Sequence, residues 1–330
     1  MMRRREFIAV VGAIAVWPLA GHTQSPERMR RVGVLSGWSE KDPTVQKFVT
    51  AFVQALARLG WIEGKNIRID RRFASSDPTL LKPYAAELVG LSPDVIFANT
   101  SPAAIVLREQ TLTIPVVFTH VVDAVGLGVV ESLARPGGNM TGFSIFDAPL
   151  MGKWLQLLKE IAPTVTHVAV IFNPDTALHS WLLNQAIERA APSLGITVVL
   201  APVHNDAAIE KTIAAVAREP GGGLFSLPDP FAYSHRGVTI AAATRYGLPA
   251  IGAGQQFARD GGLMTYQEDP LELAVQGASY IDRILKGASP ADLPVQQPTK
   301  YSLIINLKTA KALGLTVPPS MLDLADEVIE

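Results

Sequence analysis

The side chains in this sequence that could do chemistry are short hydroxyls, amides, a few carboxylates and aromatic rings, and they recur where apolar runs end. Ser36 and Trp38 follow Val32 to Leu35. Thr100 and Ser101 follow Val95 to Ala98. Thr119 to Asp123 follow Ile114 to Phe118. Asn173 and Asp175 follow Val168 to Phe172, Asp229 and Phe231 follow Gly223 to Leu227, and Gly252 to Gln255 close the series. Such groups hold the polar ends of a small molecule, and helices that start there add free backbone N–H groups and a dipole that favours an anion. Each residue also has a plain structural reading. Ser101, Asp77, Asp175 and Asp229 can be helix caps, Thr119 and Asn173 can close turns, and Trp38 and Phe231 can pack at a rim.

Patterns for catalysis are weak. A dinucleotide site needs Gly-x-Gly-x-x-Gly after the first strand, and that turn here is Ser36-Gly37-Trp38-Ser39-Glu40. Gly126-Leu127-Gly128 and Gly252-Ala253-Gly254 are isolated pairs, and neither a phosphate loop nor a Gly-x-Ser-x-Gly elbow occurs. The six histidines (22, 120, 167, 179, 204 and 235) make no metal-ligand spacing with one another. No catalytic residue, metal or cofactor is implied. A hydrolase built from residues distant in sequence stays open as an alternative.

The elements that must position these residues alternate. Arg31 to Ser36 reads as a strand, and Pro43 opens a helix with Val45, Phe48, Val49, Phe52, Leu56 and Leu59 on one face, ended by Gly60. Strands are expected at 66–73, 95–98, 114–118 and 140–145. Helices are expected from Pro78, from Pro102 with Ser101 as its cap, and between Asp123 and Arg135. The order then repeats: strand 167–172, helix 177–194, strand 196–202, helix 206–218, strand 223–227, helix 231–246 and strand 248–252. Late pieces follow at 261–266, 270–286, 301–305 and 307–313. This rhythm predicts an α/β fold of two Rossmann-like halves with parallel sheets and helices on both faces. The late pieces must return to lobes already built, so several crossings are expected. The assignment is 30–143 plus 263–298 for lobe one and 144–262 plus 299–330 for lobe two. In open parallel sheets ligands bind beyond the carboxyl ends of the strands, so two facing halves place all the groups above on one cleft.

Composition narrows the class. Hydrophobic residues are 48% and charged residues 18% of 330, ample for packed lobes. The net charge of -1, without a basic block beyond the first residues, argues against nucleic acid as a partner. The absence of cysteine removes disulfides, thiolate metal sites and a lipid-modified cysteine, and suits an oxidising compartment. Arg3-Arg4-Arg5 ahead of the apolar stretch Phe7 to Ala20 reads as an export signal over residues 1–23. Within it Arg4-Arg5-Glu6-Phe7-Ile8 resembles the twin-arginine pattern, while Ala20-Gly21-His22-Thr23 is an imperfect cleavage region.

Several further segments carry a family resemblance: Leu59-Gly60-Trp61, Gly64-Lys65-Asn66-Ile67, Tyr84 to Val89, Ser132 to Asn139 with Thr141-Gly142, Lys159 to Pro163, Leu227 to Phe231, and Ile305 to Lys311. With the leader they run almost the full length, and the chain resembles the exported substrate-binding proteins of ABC transporters, in the group that includes tryptophan- and tyrosine-type binders. The resemblance implies a type I periplasmic-binding fold with a three-crossover hinge, a periplasmic location, a membrane permease as partner and a monomer that closes on a small ligand. It carries over Ser36, Thr100, Ser101, Thr119, Asp123, Asn173 and Asp229 as binding positions. Trp38, His120 and Gln255 depart from commoner members. An amino-acid-like ligand would place its carboxylate near Thr100-Ser101 and Thr119, and its ammonium on Asp229, with Asp123 as second choice. Trp38 or Phe231 would cover its side chain. A sensory module using the same cleft is the other alternative.

Overall fold

The computed structural model describes residues 28–145 and 148–330, so the expected export signal lies outside the described residues. β1 (Arg30–Ser36) pairs in parallel with β2 (Ile67–Phe73) and β3 (Val95–Asn99). Between β1 and β2, α1 (Pro43–Arg58) buries Val45, Phe48, Phe52 and Leu56 of the expected stripe, together with Ala55, while Val49 is half-buried and Leu59, just past the helix, is exposed. Its start is fixed by Asp42, whose side chain accepts a hydrogen bond from the Thr44 N–H at 2.8 Å, and by Pro43 in the first turn. α2 (Pro78–Gly90) begins the same way on Asp77. α3 (Ser101–Gln110) follows β3, and β4 (Val116–Val122) and β5 (Met140–Ile145) complete a five-stranded parallel sheet in the order β2-β1-β3-β4-β5.

Two expected elements of this lobe differ in the structure. Residues 124–139 form successive turns instead of a helix: Gly128 and Gly137 have φ of 65° and 85°, and Pro136 interrupts the stretch. β4 also runs four residues past Phe118. Its register against β5 slips between Phe118 and Val121, a bulge at which His120 takes φ 54°. The bulge lies beside Gly142, where an added Cβ would come within 2.0 Å of the Phe118 carbonyl oxygen, so this approach of strands requires glycine.

No element is expected between Ile145 and His167, yet α4 (Ala148–Ile161) leads into the second lobe with Met151, Trp154, Leu155, Leu158 and Ile161 buried at helical spacing. The chain then alternates through β6 (His167–Phe172), α5 (Ser180–Ala190), β7 (Thr197–Pro202), α6 (Asp206–Val216) and β8 (Gly222–Ser226). The helix expected over 231–246 is broken at His235 into α7 (Pro230–Ser234) and α8 (Arg236–Tyr246). β9 (Ala250–Gly252), α9 (Gln255–Arg259) and β10 (Met264–Gln267) follow.

α10 (Pro270–Leu285) returns to the first lobe, where it packs on α1 and on β3 to β5. Its Gly277 sits so close to Phe97 that an added Cβ would come within 2.7 Å of the ring, and the Trp61 indole N–H donates to Asp282 of α10 at 2.8 Å. The last elements, β11 (Ser302–Asn306), α11 (Leu307–Ala312), α12 (Pro319–Leu324) and β12 (Glu327–Ile329), belong to the second lobe, whose sheet order is β12-β11-β10-β9-β8-β6-β7. Among the described residues, β10 and β11 are the one antiparallel pair in it.

The chain therefore passes between lobes three times: from β5 to α4, from β10 to α10, and between α10 and β11. Before the third passage Gln296 pairs with β5, its N–H donating to the Gly142 carbonyl at 3.0 Å and its carbonyl accepting from Ser144 N–H at 2.9 Å. Two boundaries move from their expected places. β5 keeps 144–145 in the first lobe, and β10 keeps 263–267 in the second, because its hydrogen bonds run to β9 and β11.

Candidate functional site

The carboxyl ends of both sheets meet at one cavity of about 110 Å³ between the lobes. Its aromatic wall is shared between the lobes. Trp38, on the turn after β1, lies edge-on to His120 at 4.6 Å and to Phe48 at 6.1 Å, and it stacks on Tyr233 of α7 at 5.3 Å between centroids. Burial pushes the Tyr233 hydroxyl pKa up to about 12, so that ring stays neutral. Other contacts join the lobes at the rim. Arg236 donates to Asp42 of the first lobe at 2.7 Å and to Asp260 of the second at 2.9 Å, with its guanidinium 4.9 Å from the Tyr233 ring centre. Burial opposes the charge on Asp42, but the hydrogen bonds from Arg236 and Thr44 outweigh it and hold the carboxyl below its ordinary range. Ser76 donates to the Pro230 carbonyl at 2.8 Å and lies 2.7 Å from the Ser234 hydroxyl. These contacts hold the lobes closed on the cavity.

Inside, the polar groups divide into those already satisfied and those that are not. Of the nine residues expected at the site, Trp38, Thr100, Ser101 and Asp229 line the cavity. The other five are placed elsewhere or used by the fold. The Ser36 hydroxyl accepts from the Trp38 N–H at 3.2 Å. Thr119 is drawn into β4 by the bulge and donates to Asn99 at 3.4 Å. Asp123 closes the next turn, accepting from Gly126 N–H at 2.9 Å. Asn173 accepts from Asp175 N–H at 2.9 Å. Phe231 stacks on His235 at 4.1 Å and faces a separate groove.

Among the four that line the cavity, Ser101 is not the cap of α3 but its first residue, and its hydroxyl accepts from Val122 N–H at 3.0 Å. Asp229 is committed as the cap of α7, accepting from Ala232 N–H at 3.0 Å, Thr176 hydroxyl at 2.9 Å and Asn173 N–H at 3.4 Å. Burial pushes its pKa up to about 6 against those bonds. Thr100 differs. It holds φ 101° at the start of α3, the helix has no side-chain cap, and its hydroxyl has no partner.

Three further lining residues carry buried atoms without a protein partner: His120 Nε2, His179 Nδ1 and Glu268 Oε2. His120 was noted in the sequence at a strand end, whereas His179, Tyr233 and Glu268 were not expected at the site. Burial lowers the pKa of His120 to about 3 and of His179 to about 4, so both rings are neutral near pH 7. His179 Nε2 lies 3.0 Å from the Pro228 carbonyl, which can only accept, so Nε2 carries the proton and Nδ1 is a free acceptor. Burial pushes Glu268 up to about 7, with Asp269 adding to the shift. Among the described residues no group of three or more His, Asp or Glu is placed to hold a metal ion.

Two α/β lobes joined by three crossings and closed on a cavity at their strand ends define a type I periplasmic-binding fold. A family model for ABC transporter substrate binding proteins matches residues 38–329, and the chain belongs to that family. It is similar to the crystal structure of a conserved domain protein from Vibrio cholerae, at 30% identity over 91% of this chain and 100% of that chain, with a TM-score of 0.84. It is also similar to a Streptococcus pneumoniae ABC domain in complex with L-Trp, at 26% identity over 91% of this chain and 99% of that one, TM-score 0.83. A tyrosine-binding protein of Clostridioides difficile is 27% identical over 273 residues, 83% of this chain and 78% of the relative. The chain is thus an extracytoplasmic, non-catalytic solute-binding component of an ABC importer, with a small-molecule ligand and a membrane permease as partners.

Proposed function

We propose that this protein captures an amino-acid-like ligand with an aromatic or other apolar side chain and delivers it to its permease. The observation that carries this reading is the chemistry of the cavity. Unpartnered polar atoms of Thr100, His120, His179 and Glu268 stand beside a wall of Trp38, Phe48 and Tyr233. Buried polar groups normally have partners, so several orphans around one cavity mark where a ligand supplies them. The ligands bound by the tyrosine-binding relative and by the L-Trp complex support the same class.

In this reading the carboxylate lies against Thr100 and the first turn of α3, where the helix dipole favours negative charge and no side chain caps the helix. Ser101 and Asp229 shape the walls through the turns they hold, and Trp38 with Tyr233 covers the side chain. Closure then holds the lobes in the state that the permease recognises. The protein acts as a monomer without nucleic acid, exported by a signal within residues 1–23 of twin-arginine type.

Calorimetry and thermal shift with amino acids and aromatic acids test the reading, since a bound ligand raises the melting temperature by linkage. Binding of L-tyrosine or L-tryptophan with a raised melting point is the expected result. A chain that binds no member of either set overturns it.

A further inference from the structure

The carboxylate that should meet a cationic ligand group was expected on Asp229, and its hydrogen bonds make it a poor receptor. Both of its oxygens already accept from Ala232, Thr176 and Asn173. A second buried carboxylate lines the same cavity. Glu268 lies in the two-residue passage between β10 of the second lobe and α10 of the first, with Asp269 beside it used as the cap of α10. It is 3% exposed, and Oε2 has no hydrogen-bond partner. Among the described residues no Lys, Arg or His nitrogen lies within 4.0 Å of its carboxylate. Of the two long cations that also line the cavity, Arg259 is held by Glu327 at 2.6 Å and Lys47 is exposed.

A buried carboxylate whose Oε2 has no partner and that receives only its own backbone N–H is costly, and a partner brought by the ligand removes that cost. The aromatic rings nearby can cover an apolar group but cannot neutralise this oxygen. We propose that Glu268 is the receptor for a protonated amine on the ligand, so that the cavity selects amine-bearing ligands over otherwise identical compounds without the amine. This rests on the amino-acid reading above and deepens it. Because Glu268 sits on a passage between lobes, the same contact ties ligand charge to the closed arrangement. Glu268 is a specificity residue in this account, and Asp229 is a positioning one.

The test uses matched pairs by calorimetry: L-tyrosine against 3-(4-hydroxyphenyl)propanoate, and L-tryptophan against 3-(indol-3-yl)propanoate. The native protein should prefer the amine-bearing member of each pair by about 100-fold, and Glu268→Gln should abolish that preference while its binding of the deamino compound stays within about threefold. Glu268→Gln is close in shape, and its melting temperature at pH 8 establishes that it folds. Retention of the preference in folded Glu268→Gln, or its loss in Asp229→Asn alone, overturns the assignment. A native protein that binds the deamino acids as tightly overturns it too, while leaving solute binding intact. If no compound of the panel binds, the amino-acid reading fails by itself. Native mass spectrometry of the co-purified solute then decides for Glu268: a basic nitrogen supports it, and a solute without one ends it.

Discussion

Two helix starts face each other across the cavity, and in the sequence they look alike. Thr100-Ser101-Pro102 follows β3, and Asp229-Pro230-Phe231 follows β8. In the fold they are opposites. Asp229 is a working cap whose oxygens accept from Ala232, Thr176 and Asn173. Thr100 sits at φ 101° with its hydroxyl unpaired, and α3 has no side-chain cap. One start is closed by its own chain and the other keeps an unpaired hydroxyl at the cavity. The same contrast separates the two buried carboxylates: both oxygens of Asp229 accept, while Oε2 of Glu268 has no partner. A binding cleft is thus told from a structural turn by which polar groups remain unpaired.

The largest effect that sharpens this contrast lies in stability against pH. The Glu268 pKa is raised from 4.5 to about 7 in the folded chain, so its stabilising share is full below pH 4.5 and is lost as pH rises through about 7. Ligand-free Glu268→Gln escapes that loss. It should gain on the native protein by up to ~3 kcal/mol between pH 4.5 and pH 8. Denaturation curves at both ends measure this, and an equal gap at both would contradict a carboxyl that burial raises to about 7. His120 and His179 act in the opposite direction in both variants, losing stability as pH falls below 6.5, so only the difference between variants is diagnostic.

Asp229→Ala comes next. It removes the cap and leaves Ala232, Thr176 and Asn173 donors unpaired, which should cost about 2 kcal/mol of stability. Urea unfolding reads it, and an unchanged midpoint would show that the two helix starts do not differ in this way. Thr100→Val should do the reverse. The hydroxyl has no partner to lose, so stability should stay within about 0.5 kcal/mol while ligand affinity falls about tenfold. A destabilised protein with full affinity would place Thr100 among the structural turns.

The smallest effect belongs to the rim. Arg236→Ala breaks the Asp42–Arg236 contact between lobes and should weaken binding by about threefold, mainly through faster release. Stopped-flow dissociation checks it, and an unchanged off-rate would mean that this pair does not help hold the lobes shut.

Much of the frame was legible from pattern. Asp42-Pro43 and Asp77-Pro78 announced their helices, and both do cap α1 and α2. The alternating order gave two parallel-stranded lobes. The bulge in β4 was not legible, because a slip of register against β5 is a relation between strands and has no local mark at Thr119. The turns after Asp123 were misread as a helix, although Gly126, Gly128 and the Pro136-Gly137-Gly138 run stood against it. The strand-end rule reached Trp38, Thr100, Ser101 and Asp229, which line the cavity. Applied to Met264-Thr265-Tyr266 it would also have reached Gln267 and Glu268. His179 sat inside a stretch read as helix, and Tyr233 comes from a helix of five residues, so neither had a strand-end signal.

The sequence by itself determined the local grammar: where strands and helices begin, which faces are apolar, and that two halves share one plan. Those properties follow from periodicity, capping and turn chemistry, which act over a few residues. Only the tertiary structure decided which polar groups are used up. A hydroxyl or carboxylate is satisfied by donors far along the chain, as Asp229 is by Thr176 and Asn173, and that pairing exists only once the second lobe has folded.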